Sequence, residues 1–189
     1  MAGETEAEAV QTFLDPLQQS ISCVSSTVLN VRGGYFASNK PHVLTIGSGA
    51  PVRLSSEMGV ALGGTILYRV VEAPGDHGPW KVSTAGYLYA LEDLHRREYI
   101  GYHWHPESRS DETTPHLHVG PAICQEKHLL DKQHVPTGRI SLEEVLRFAI
   151  TALDVKPLRP DWADILGHNQ RAFERWRTWH GSGPVIESD

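Results

Sequence analysis

The chain lacks most of the features that place a sequence in a class at sight. No apolar run approaches the roughly 18 residues of a membrane-spanning helix, so no membrane partner is expected. The opening MAGETEAEAV is acidic and has no apolar stretch of its own, which predicts no secretory signal and a cytoplasmic protein. Only Cys23 and Cys124 are present, too few for a disulfide framework, and both are expected as reduced thiols. There is no P-loop, no G-x-S-x-G elbow, no dinucleotide fingerprint and no internal repeat. A formal net charge of −6 disfavours broad electrostatic binding to nucleic acid.

What is present is ordinary in bulk and uneven in detail. With 189 residues, 40% hydrophobic and 21% charged, the chain has the length and composition of one globular domain, expected over residues 1–180. Acidic residues dominate up to Asp93. From Leu94 to His180 acidic and basic residues balance, and nine of the eleven histidines fall there. That half turns basic when its histidines protonate, which leaves room for a local phosphate site.

The texture is β first and helical last. Residues 1–8 read as a frayed acidic tail, and Pro16 interrupts a short helical pattern formed by Val10, Phe13, Leu14 and Leu17. Strands are expected at 23–32, 41–46, 52–56, 60–73, 80–91, 99–105 and 116–123, with glycine turns between several of them. Gly63-Gly64 inside a strand suggests a bulge or a close backbone approach. Ser141-Leu142-Glu143-Glu144 is a capping box that opens a helix with an apolar stripe from Leu142 to Leu153. Pro157 and Pro160 separate a second helix, with Asp161 as its N-cap; Trp162, Trp176 and Trp179 are expected to pack and Arg171, Arg175 and Arg177 to line its outer side. Residues 20–124 are thus expected as an antiparallel sheet of six to seven strands and 141–179 as two helices packed on one face, an α+β fold, with 181–189 a flexible tail.

Chemistry is concentrated in two H-x-H pairs, His103/His105 and His116/His118, both in strand-like text. Alternate strand residues share a face, so each pair sets two imidazoles on one side of a sheet. A symmetric hairpin about the polar segment 107–114 would set His103 opposite His118 and His105 opposite His116, a rectangle of four rings. Ile100, Tyr102, Trp104, Leu117 and Val119 would then pack into the core. Tyr99 shares the His103 face, and Tyr87 or Tyr89 could join it from the next strand.

Such an array suits two chemistries. Imidazoles at strand spacing are ligands for zinc, manganese or iron, so His103, His105, His116 and His118 are candidate metal ligands of a hydrolase or oxygenase, with Glu107, Asp111 or Glu112 as an added ligand or base. Without a metal or other cofactor, His103 and His118 are candidates for the acid and base of phosphodiester cleavage, assisted by His105, His116 and Tyr99. Arg109 or Arg139 would then stabilise the developing charge. A third possibility is a non-catalytic binding module. His128 and His134 could fold back over the cleft, though solvent exposure is the simpler expectation; His168 and His180 are expected on the surface, and Cys124 in the core.

The segment 99–119 resembles the TumE-type toxins of prokaryotic toxin–antitoxin pairs. The matching pieces are Tyr102-His103-Trp104, Arg109 with Asp111, and Pro115-His116-Leu117-His118. The resemblance implies a ribonuclease-like toxin that cleaves RNA and is neutralised by a protein antitoxin.

Overall fold

The computed structural model describes residues 2–38, 40–73, 78–107, 112–123 and 134–176, the last without the side chain of Trp176. Arg109, Asp111, Cys124, His128, Arg177, Trp179, His180 and the tail from 181 lie outside these.

The chain runs β1 (Ala2–Gly3), α1 (Glu6–Ser22), β2 (Leu29–Arg32), β3 (His42–Ile46), β4 (Val52–Arg53), β5 (Ala61–Glu72), β6 (Trp80–Glu92), β7 (Glu98–Trp104), β8 (His116–Val119), β9 (Val135–Pro136), α2 (Leu142–Ala152) and α3 (Trp162–Trp176). Among the described residues every strand pairing is antiparallel, in the order β2-β3-β5-β6-β7-β8-β9, with β1 on β6 and β4 on β5. The fold is the expected α+β class. No helix among the described residues is long and apolar enough to cross a membrane.

One face of the sheet meets the helices. Leu44, Ile66, Tyr68, Tyr87, Tyr89, Tyr102 and Trp104 join Phe13 and Leu17 of α1, Leu142 and Leu146 of α2, and Leu166 of α3 in one buried cluster. Ser141 caps α2 as expected: its hydroxyl accepts from the Glu144 amide at 3.2 Å, and the Glu144 carboxylate accepts from the Ser141 amide at 2.7 Å.

The N-terminus departs from expectation. Residues 2–3 pair with Trp80 and Lys81 instead of fraying, and Thr5 with Glu8 forms a second capping box. The helix then continues through Pro16 to Ser22. Proline removes one backbone donor and costs about 3 kcal/mol in an isolated helix. Here Ala9, Val10, Phe13, Leu14, Leu17 and Ile21 are all buried, and each large side chain contributes about 1.5–3 kcal/mol, so burial outweighs the lost bond. The Gly63-Gly64 expectation resolves as a close approach: a β-carbon on Gly64 would lie 2.5 Å from Ile46 Cδ1. The irregularity in β5–β6 pairing falls later, between Leu67 and Tyr68.

A buried polar knot ties α1 to α2 and α3. Ser20 Oγ lies 2.8 Å from Glu143 Oε1 and 2.9 Å from the Pro16 carbonyl, and Asn169 Nδ2 donates to Ser20 Oγ at 3.0 Å. A serine hydroxyl has one proton. The knot is fully consistent when the Glu143 carboxyl is protonated and donates to Ser20, which donates to Pro16. Burial pushes the Glu143 carboxyl up in the same direction.

Candidate metal centre

Strand parity places the histidines on the face opposite the helices. Tyr102 and Trp104 point into the core, so Gly101, His103 and His105 point away from it. Leu117 packs against the core from β8, so His116 and His118 also point away. All four imidazoles share one face, as the H-x-H spacing requires.

The pairing differs from the symmetric hairpin by two residues. His103 stands opposite His116 and Gly101 opposite His118; His105 lies beyond the paired residues of β7. A two-residue slip keeps every side chain on its own face, so the apolar pattern does not resist it. The outcome is a staggered cluster. Ring centroids lie 4.5 Å apart for His103–His118, 5.0 Å for His116–His118, 5.6 Å for His103–His116, 5.4 Å for His105–His116 and 6.3 Å for His103–His105.

Three of these histidines converge. One ring nitrogen from each of His103, His116 and His118 lies within 4.8 Å of the others. Small side-chain rotations would close that triangle to the roughly 3.3 Å edge that bonds of 2.0–2.1 Å in tetrahedral geometry need. His116 is 1% exposed, and its Nδ1 lies 2.8 Å from the Thr114 carbonyl. A carbonyl only accepts, so Nδ1 carries the proton and Nε2 keeps its lone pair; metal-ligating histidines are commonly oriented in this way. His103 Nε2 is buried and has no hydrogen-bond partner. Burial, reinforced by the neighbouring imidazoles His118, His116, His105 and His134, holds the His103 pKa down at about 4. Burial and the same kind of crowding lower that of His118. Both rings are therefore neutral near pH 7, the form that binds metal.

Tyr99, Tyr87, Tyr89 and Arg139 are placed elsewhere, whereas Glu107 and Glu112 are paired off at the edge of the array, Glu112 near enough to His116 and His134 to feel their charge. Tyr99 is the extra residue where the β6–β7 register shifts, and its hydroxyl donates to the Met58 carbonyl at 3.1 Å; among the described residues no ring or hydrogen-bond contact joins it to the histidines. Tyr87 and Tyr89 pair with Trp104 and Tyr102 and so lie on the core face; the β6 residue opposite His103 is Leu88. Arg139 stacks over the Trp104 ring at 3.5 Å, also on the core side. Glu107 accepts from Arg69 Nη2 at 2.8 and 3.1 Å. Glu112 is turned back on Thr114.

Two residues enter the site without having been singled out for it, and a third, His134, takes the cleft position that was open to it. His134, exposed at the start of β9, stacks on His116 at 4.6 Å and stands 4.7 Å from His118, combining the two positions expected for it. Arg69, from β5, reaches the end of the array through Glu107. Glu98 lies on the histidine face: a β-carbon on Gly101 would lie 2.5, 2.7 and 2.8 Å from its Oε2, Cδ and Oε1. A glycine in a strand interior was the available signal for that close approach. Contacts of Arg69 and His134 depend on strand pairings that no local pattern announces.

No family model, no curated protein and no solved structure matches this chain.

Proposed function

We propose that this protein binds one first-row divalent metal ion through His103, His116 and His118 and uses it for hydrolysis. The observation that carries this is the convergence of the three ring nitrogens within 4.8 Å on a rigid sheet. An all-imidazole set suits zinc among the common hydrolytic metals. Three protein ligands leave a fourth position for water, the arrangement of catalytic rather than structural zinc sites. The orphaned His103 Nε2 supports the same reading, because a buried nitrogen with no partner costs free energy that coordination would recover.

The test is elemental analysis and zinc calorimetry on untagged protein prepared without chelator. One ion per chain, lost in H103A and H118A, is the expected result. Failure of the parent to bind zinc, manganese or iron overturns the proposal.

A second reading is favoured by one distance. His103 and His118 are the closest ring pair among the described histidines, at 4.5 Å, and could share protons in metal-free RNA cleavage, with a protein antitoxin as partner. At neutral pH, however, neither ring carries the proton that a general acid must donate. Chelator-resistant RNA cleavage abolished by H103A would establish this reading over the first.

A further inference from the structure

We infer that Glu98 is the general base of this centre, taking the proton of metal-bound water for attack on an uncharged acyl substrate. The inference rests on the metal reading above.

The carboxyl group of Glu98 occupies the space that a side chain at position 101 would fill, on the histidine face of β7. Gly101 is the direct cross-strand partner of His118 and precedes His103 by two residues. Directly opposed β-carbons lie about 4.5–5.5 Å apart and successive same-face residues about 6.5–7 Å. The carboxylate therefore borders two of the three ligands without belonging to the ligand triangle itself. The Glu98 carboxylate makes no hydrogen bond or ion pair among the described residues, while the backbone carbonyl of the same residue accepts from the Ala122 amide at 3.0 Å. It is half-buried, and burial with the nearby Glu92 carboxylate raises its proton affinity. A carboxylate next to the ligands, held off the metal and left unpaired, is placed to accept a proton from a bound water.

The step balances simply. Metal-bound water gives one proton to a Glu98 oxygen and becomes metal-bound hydroxide. The hydroxide forms a bond to the acyl carbon. The bond from that carbon to its leaving oxygen or nitrogen breaks, and Glu98 returns the proton to the leaving atom. Water and an ester or amide become an acid and an alcohol or amine, with no redox change.

Charge selects the substrate class. Glu92 and Glu98 are cross-strand partners at one end of the site. At the other end the Arg69 guanidinium is engaged by Glu107. The Glu98 carboxylate beside the ligands repels a polyanion and tolerates a neutral ester or amide; Glu92 adds little, because Arg96 Nε lies 3.7 Å from it.

The full chain loaded with Zn(II) is assayed with p-nitrophenyl acetate, and Zn(II) affinity is measured separately by calorimetry. E98Q, nearly isosteric, is expected to keep the parent's zinc affinity and KM while kcat falls about 100-fold or more. G101A, whose new methyl group displaces the carboxylate, is expected to fall comparably, and the double variant to fall no further than E98Q alone. Parent-like kcat in E98Q overturns the inference. So does a zinc-loaded parent that cleaves the ester no faster than free Zn(II). A parent that takes up no metal overturns the metal reading instead, and calorimetry separates the two failures.

Discussion

His103 and His118 are diagonal neighbours across β7 and β8, yet their rings lie closer, at 4.5 Å, than those of the directly opposed His103 and His116, at 5.6 Å. The stagger gathers three nitrogens where a square array would spread four. It follows that the four histidines are not equivalent. H118A is expected to weaken zinc binding at least about 100-fold, because it removes a ligand, whereas H105A removes a ring outside the triangle and changes affinity by less than about tenfold. Parallel calorimetry of the two variants checks this, and equal losses would contradict the assignment.

Acid should destabilise the metal-free protein through His103. Its pKa is about 4 when folded and about 6.5 when unfolded, so between these values the unfolded chain binds more protons. Stability is then fully present above pH 6.5 and is lost as pH falls toward 4. The side chain is only partly buried, so solvent screening reduces the effect to about 1–2 kcal/mol. Urea unfolding at pH 7.5 and 4.5 measures it, and H103Q should flatten the difference that His103 itself contributes.

Glu143 has the opposite sign. Burial raises its pKa in the folded protein, so between the unfolded and folded values the native state holds the extra proton. Its contribution is present at low pH and is lost as pH rises through the folded value. E143Q keeps a polar group against Ser20 without a charge and is expected to be more stable than the parent at pH 8. E143L removes the carboxyl partner of Ser20 from the buried knot and is expected to cost about 1–3 kcal/mol. Thermal melts of the two variants across pH 5–8 test both signs.

Pro16 is tolerated rather than required. P16A restores an amide donor to the middle of α1 and leaves the carbonyl that accepts from Asn169 in place. The gain is partly offset by the freer unfolded chain, leaving a net stabilisation of about 1–2 kcal/mol. Chemical denaturation with an unchanged m-value reads it out.

The residues that defined the fold from sequence were those with strong local patterns. The alternation around Tyr102 and Trp104 assigned the strand and its faces, and Ser141 with Glu144 located α2. The face shared by the four histidines followed from the same parity. Their register did not, since pairings two residues apart bury the same side chains and the segment 106–115 is too long to act as a tight turn. α1 escaped because its proline was weighed as a local breaker, while the burial that overrides it comes from residues distant in sequence, in the sheet as well as in α2 and α3. His134 was legible only as a choice between the cleft and solvent, because it reaches His116 through the two-residue pairing of β8 with β9.

Among the described residues the sheet is clad in helices on one side only, which makes it a partition as well. Side chains on the two sides of β7 alternate along the same strand but answer to different demands: Tyr102 and Trp104 to packing, His103 and His105 to whatever approaches from solvent. Substitutions on the solvent side leave the packed side largely untouched. Such a scaffold keeps its shape while the reactive side is rewritten, so the apoprotein should be isolable intact, and the centre should be open to exchange of metal or of ligand residues without refolding the domain beneath it.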